Sequence, residues 1–177
     1  LTDEALRNGA VTRAAERLAE IDPAGTAAWL LTGPSDAKNQ TFDNVYTAWV
    51  AKDKQAALSS LAALPAGEDR SNALRGAIRK MATENPSEAA ALMNRYPGDV
   101  NDRLVRNYVW HSFDKDPGAA IGQIARMTDA NDRDRTYART VGAWLERDPA
   151  AATSWMQVNP LPPAVIQSIQ KDRPENR

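Results

Sequence analysis

The sequence predicts an all-α protein, a right-handed α-α superhelix of about five helical hairpins followed by a terminal helix. Three observations carry this prediction. A helix-capping motif recurs every 31 or 32 residues, eight of the eleven prolines occupy two fixed places in that period, and apolar residues recur at helical spacing between the motifs. A hairpin of this size buries its apolar face only when successive hairpins stack. The repeat covers residues 1–177, which predicts a single helical-repeat domain.

The capping motif is an Asp or Asn, in most cases followed by Pro and then by small residues. It begins at five positions, Asp22, Asp53, Asn85, Asp116 and Asp148. The side-chain oxygen of such a residue accepts hydrogen bonds from the free amides of a helix N-terminus, and Pro in the first helical position loses no hydrogen bond. Each motif therefore predicts the start of a helix.

A second regular spacing within the chain predicts where this helix ends. Twelve residues after the caps stand Pro34, Pro65, Pro97, Thr128 and Pro160. Proline forces the residue before it out of the helical region, so the helix should stop after roughly ten residues. A polar loop and a second helix of about fifteen residues then lead to the next cap. The closing helix is predicted near residues 162–171, and no strand pattern competes with this assignment.

The long helix of each hairpin has one apolar face. Four residues before the caps lie Leu18, Trp49, Met81, Ser112 and Trp144, and seven before them lie Ala15, Tyr46, Ile78, Val109 and Val141. Offsets of four and seven fall on the same side of a helix, so we expect these residues to be buried. Trp29 and Trp155 share one place in the short helix and are also expected to be buried. Trp110 alone among the tryptophans is out of phase.

The hairpins resemble those of tetratricopeptide-type α-solenoids in being Ala-rich two-helix units with Asp-Pro at a helix start. The tetratricopeptide period is 34, with a Trp-Leu-Gly-Tyr pattern that this chain does not carry. The chain is more similar to uncharacterised bacterial helical-repeat proteins that carry Asp-Pro-x-Ala-Ala, a following Leu-Pro and a Trp before the next cap. Residues 49–65 and 144–160 fit that pattern best. The resemblance implies a fold, and it implies no site residue.

Composition excludes several classes of function. Twenty-two Lys and Arg residues against 23 Asp and Glu residues give a net charge of -1, which favours neither nucleic acid nor an anionic membrane as a partner. No apolar run is long enough to span a bilayer, so no membrane insertion of this segment is expected. The absence of cysteine and the single histidine leave little material for metal sites, and no phosphate-binding glycine motif occurs. We therefore expect no cofactor and no metal.

Two segments resemble a catalytic motif and a calcium-binding loop, but both are better explained as ordinary parts of helices. His111 lies in the string Trp-His-Ser-Phe-Asp, but neighbouring helical residues point in different directions, so the string is not a catalytic triad. Residues 129–134 superficially resemble a calcium loop, yet Arg133 takes a ligand position and Asp134 replaces the required glycine. Acidic residues at that place suit the start of a helix. The sequence thus predicts no enzyme activity.

The predicted function is a scaffold that binds another protein or an acidic peptide segment in the groove of the superhelix. Thirteen, ten and six residues before the caps lie on one stripe of the long helices, and in three hairpins this stripe is rich in arginine and indole. Its members are Arg75, Arg79, Arg103, Arg106, Trp110 and Arg135. Guanidinium groups in such a row suit carboxylates.

The alternative is a non-catalytic accessory segment of a larger enzyme or envelope assembly. The chain begins at Leu1 without a methionine, so we expect it to be a fragment or processed part of a longer chain. An exported and a cytoplasmic location both remain open, because cysteine-free domains occur in either compartment.

Overall fold

The described part of the chain folds into helices joined by short loops, as the sequence predicts. The computed structural model describes residues 3–33 and 35–172, and none of these residues lies in a β-strand. Pro34, one of the predicted helix-ending prolines, is outside the described residues. The chain divides into two compact units, Leu1–Val100 and Asn101–Arg177.

Unit 1 contains three hairpins in which a long helix is followed by a short one. The helices are α1 (Asp3–Ile21), α2 (Pro23–Thr32), α3 (Ser35–Lys52), α4 (Lys54–Ala63), α5 (Glu68–Glu84) and α6 (Pro86–Arg95), with a 3₁₀ turn at Pro97–Asp99. Each long helix packs against the short helix that follows it. In addition, α3 packs between α1 and α5, so the long helices form one layer.

Unit 2 contains two hairpins and a closing helix. Its helices are α7 (Asp102–Ser112), α8 (Pro117–Gly122) with a 3₁₀ turn at Gln123–Arg126, α9 (Ala130–Arg147), α10 (Pro149–Val158) and α11 (Pro163–Asp172). The closing helix packs against α9, which also packs against α10. The short helix of the first hairpin of this unit is broken, because the two glycines in α8 disfavour a continued α-helix.

All five predicted caps are confirmed. The side chains of Asp22, Asp53, Asn85, Asp116 and Asp148 each accept a hydrogen bond from the amide three residues further on, at 2.9 to 3.2 Å. The short helices α4, α6 and α10 each end two residues before the predicted proline, and the 3₁₀ turn that follows α8 ends two residues before Thr128. The period of the sequence is therefore the period of the helical hairpins.

The predicted apolar face is the core, with exceptions in the first hairpin and at Trp155 in the fifth. All five residues seven positions before a cap are buried, and Trp49 and Trp144 are each 8% exposed. Leu18 and Trp29 were expected to be buried, but they are 46% and 40% exposed. Those two expectations are wrong because α1 and α2 pack mainly against each other and against α3, so no described helix covers their opposite side as α1 and α5 cover the two sides of α3. Trp155 is only half-buried.

The contact between α3 and α5 is unusually close. Gly76 of α5 lies against the backbone of Asp43 in α3, so that a Cβ atom at position 76 would stand 2.1 Å from the Asp43 carbonyl oxygen. The Thr47 hydroxyl donates across the same contact to the Gly76 carbonyl at 3.0 Å. The absence of a side chain at position 76 lets the two helix backbones meet.

Candidate functional site

The predicted arginine-and-indole stripe is distributed over both units. Arg75 and Arg79 lie on α5 in unit 1, whereas Arg103, Arg106 and Trp110 lie on α7 and Arg135 on α9 in unit 2. Their surroundings differ sharply between the units, so each unit is described in turn.

In unit 1 the two arginines make contacts inside the fold. Arg75 is 7% exposed, and its Nε donates to the Asp43 carboxylate at 3.1 Å. The Arg79 guanidinium donates to the Asn44 side-chain oxygen at 2.7 Å and to the Thr47 hydroxyl at 2.8 Å. These donors hold α5 to α3. A charge reversal at Arg75 would therefore test helix packing rather than partner binding.

In unit 2 two of the arginines share one carboxylate. Arg106 of α7 donates to Asp132 of α9 at 2.7 Å, and Arg135 forms a second ion pair with the same carboxylate. The hydrogen bond from Arg135, together with attraction to Arg106, holds the pKa of Asp132 below its usual value. Arg103 is exposed and makes no hydrogen bond or ion pair with any described residue. Trp110 is 73% exposed.

A groove separates α7 from α9 at this place. Its volume is about 290 Å³, and its walls are Arg106, Val109, Trp110, Phe113 and Asp114 on the side of α7 and Thr136, Arg139, Thr140 and Ala143 on α9. We call it the α7–α9 groove. It brings together Arg106 and Trp110 of the predicted stripe, while Arg103 and Arg135 are not among its lining residues.

Among the lining residues that the sequence did not predict, Arg139 is the charged one without a described counter-ion. Its side chain is exposed and makes no hydrogen bond or ion pair with a described residue. It stands nine residues before its cap, the place that Gly76 occupies in α5. A glycine there lets α5 touch α3, whereas the arginine at that place in α9 contributes a wall of the groove. No distinctive signal in the sequence pointed to it, because Arg13 stands at the same distance before the cap of the first hairpin.

The carboxylate among the wall residues, Asp114, is exposed and forms an ion pair with Arg147. Arg147 donates to its carboxylate at 2.6 Å and places its guanidinium over the Phe113 ring, 5.6 Å from the centroid. The attraction of a cation for a ring face fixes this corner of the groove. Among the charges that line the groove, Arg139 is therefore the one without a described counter-ion.

Hydrogen bonds join Asp102, at the start of α7, to the two residues that precede α9, and we call this contact the Thr128 latch. One oxygen of the Asp102 carboxylate accepts from the Thr128 amide at 2.8 Å and from its hydroxyl at 3.1 Å, and the other accepts from the Asp129 amide at 2.9 Å. These hydrogen bonds, the one from the Thr128 amide first, lower the pKa of Asp102. The latch also explains why Thr128 replaces the proline of the other repeats, since proline has no amide hydrogen to donate.

The structure also places the other residues that the sequence analysis considered, His111 and residues 129–134. His111 is half-buried on α7 and does not line the α7–α9 groove. Asp129 accepts from the Asp132 amide at 2.7 Å and so caps α9, which confirms the capping interpretation of residues 129–134. Within the described ranges no three His, Asp or Glu side chains gather as a metal site would require, and no helix has the length and apolar character to cross a bilayer.

The lining of the α7–α9 groove combines aromatic, hydroxyl and charged side chains. Its described lining supplies an indole and a phenyl ring, two threonine hydroxyls and a guanidinium with unused donors, and its single carboxylate is held in an ion pair. These groups bind rings, apolar chains and carboxylates without a covalent step. Comparisons with known proteins give no further guide, because no protein-family model, no curated protein and no solved structure matches this chain.

Proposed function

We propose that this protein is a binding module that holds a segment of another protein, or a peptide, in the α7–α9 groove. The observation that carries the proposal is Trp110, a large aromatic side chain that is 73% exposed on the wall of a groove. Exposed tryptophans that line concave surfaces are the residues on which protein interfaces most often depend. The described lining offers no nucleophile paired with a base, which favours binding over catalysis.

The architecture supports the same function. Stacked helical hairpins present long surfaces that suit extended partners. The packing of α3 between α1 and α5 is the kind of stacking expected of a solenoid. We extend this to the whole chain as a right-handed, tetratricopeptide-like superhelix of five hairpins, which an experimental structure would test.

A second candidate, an accessory segment of a larger enzyme or envelope assembly, is favoured by a different observation. Five large apolar side chains are exposed on α1 and α2, namely Leu6, Leu18, Ile21, Trp29 and Leu31. Several large apolar side chains exposed on two neighbouring helices are typical of a surface that another protein covers. Under this alternative, serine at Leu18 and Ile21 would release the chain from its assembly and leave the α7–α9 groove unaffected.

Selection from a random dodecapeptide phage library, with the folded chain immobilised, tests the proposed function. The selected peptides are then titrated against the wild type and two variants by fluorescence anisotropy. Trp110→Ala should weaken binding about tenfold or more, the usual effect of removing a central aromatic residue from an interface. The matched control is Trp29→Ala, which removes an exposed tryptophan from α2 and should leave the Kd unchanged. Equal binding by the wild type and Trp110→Ala would place the binding site elsewhere and refute the proposal.

A further inference from the structure

Arg139 lines two grooves, one on either side of α9. The first is the α7–α9 groove, and the second is a groove of about 480 Å³ between α9 and α11. Ala143, one helical turn further along, also lines both. A segment that leaves the α7–α9 groove over α9 would therefore pass Arg139 and enter a second groove, so the site suits a continuous chain rather than a small isolated molecule.

The charges around Arg139 leave its guanidinium available. Asp132 is shared by Arg106 and Arg135, and Asp114 is taken by Arg147. Arg139 makes no ion pair with a described residue and carries five N–H donors. The complementary group is a carboxylate, because its two oxygens match the paired donors of a guanidinium.

The apolar part of the groove has the size of amino-acid side chains. A volume of about 290 Å³ is at the lower limit of ligand-binding cavities, and its walls there are Val109, Trp110, Phe113 and Ala143. An aromatic or branched aliphatic side chain would fill this part and stack on the Trp110 indole. A compact space of this volume is roughly 7 Å across, and an extended chain advances about 3.3 Å per residue. The anchor and the carboxylate therefore belong within about three residues of each other.

We propose that the occupant of the α7–α9 groove is an extended peptide segment with an aromatic or aliphatic anchor on Trp110 and, within about three residues, an Asp or Glu side chain on Arg139. This inference rests on the proposed function and adds the chemistry of the partner. Single-stranded nucleic acid would also offer rings and anions. The peptide is favoured because Asp114 and Glu146 line the two grooves and the whole chain carries a net charge of -1, both of which disfavour a row of phosphates.

The first test is the composition of the peptides selected by phage display. The inference requires that peptides dependent on Trp110 be enriched in Asp or Glu within three residues of an aromatic or aliphatic side chain. Selected peptides that depend on Trp110 but lack this acidic enrichment would overturn the inference and leave the proposed function standing. Peptides that do not depend on Trp110 would overturn both.

The second test changes the charge that the inference assigns to recognition. Arg139→Gln should weaken the selected acidic peptides about tenfold or more, as loss of a charge-assisted hydrogen bond does. Replacing the peptide's own Asp or Glu by Asn or Gln should then have no further effect on the Arg139→Gln variant. The control is Arg95→Gln, the same change at an exposed arginine on α6, which should leave the Kd unchanged. Because Arg139 is exposed, the melting temperature should be almost unaltered.

Two outcomes of these measurements would overturn the inference directly. One is equal loss of affinity for acidic peptides and for their amide counterparts on Arg139→Gln, which would mean that Arg139 shapes the groove without binding a carboxylate. The other is binding of a labelled oligothymidylate as tightly as the selected peptides, lost on both Trp110→Ala and Arg139→Gln. That result would identify the occupant as nucleic acid.

Discussion

Gly76 offers the sharpest test of the helix packing. Replacing it by Ala would place a Cβ atom 2.1 Å from the carbonyl oxygen of Asp43 and 2.9 Å from its carbonyl carbon. Both atoms belong to the backbone, so no side-chain rotation relieves the overlap and α5 must move away from α3. That movement also disturbs the buried ion pair between Asp43 and Arg75 and the hydrogen bond from Thr47 to the Gly76 carbonyl.

The expected change in the free energy of unfolding is the balance of opposing contributions. Ala is better than Gly inside a helix by about 1 kcal/mol. Overpacking costs about 1–3 kcal/mol, and complete loss of a buried ion-pair partner costs about 3–5 kcal/mol. With the ion pair only partly disturbed, we expect Gly76→Ala to lower the free energy of unfolding by about 2–4 kcal/mol, because the two penalties together exceed the helix-propensity gain.

The matched control is Gly142→Ala in α9. Position 142 is also inside a long helix, but an added Cβ there would meet nothing within 4 Å. We expect this variant to be more stable by about 0.5–1 kcal/mol. Urea unfolding followed by far-UV circular dichroism measures both effects, and amide hydrogen exchange assigns the loss in Gly76→Ala to α3 and α5. If both variants gain stability equally, the close approach of α3 and α5 is wrong.

Two further predictions concern unit 2: the burial of Trp144 in its core and the loss of its stability at low pH. Trp144→Ala should lower the free energy of unfolding by about 3–5 kcal/mol, since it removes a buried aromatic side chain that contacts Trp155; a loss below about half a kcal/mol in urea unfolding would contradict its burial. The pKa of Asp102 is lowered in the fold, so its stabilising effect is present at neutral pH and is lost as the pH falls below about 3.9, the ordinary value for Asp. Across this pH range the melting temperature of the wild type should fall more steeply than that of Asp102→Asn. If the two melting temperatures fall in parallel with pH, the Thr128 latch is excluded as the cause.

The helix boundaries could be predicted because they depend on local chemistry. A cap such as Asp53 needs only the amide of Ala56, three residues away, and Pro65 acts on the residue before it. These interactions lie within one turn and are the same in any tertiary surroundings. Their regular recurrence was therefore enough to divide the chain into hairpins before the packing was known.

The exposure of individual residues could not be predicted in the same way, because it depends on neighbours outside the repeat. Leu18 and Trp49 stand at the same distance from their caps, yet one is 46% exposed and the other 8%. The difference is the hairpin that lies on the far side, which the local sequence does not encode. A periodic pattern predicts which face is apolar, and the order of the hairpins decides whether that face is covered.

The same reasoning explains why the arginine stripe contains both structural and unpaired members. Arg75 and its partner Asp43 stand ten residues before their caps on α5 and α3, so equal places on successive long helices meet when those helices pack closely. Arg139 stands nine residues before its cap, outside the stripe, and it shares its groove with Arg106 of α7, which carries the same charge and is already paired with Asp132. Position within the repeat therefore does not by itself decide whether an arginine is paired. Arg75 meets a carboxylate on the preceding long helix, whereas Arg106 meets one on the following long helix and Arg103 meets none among the described residues.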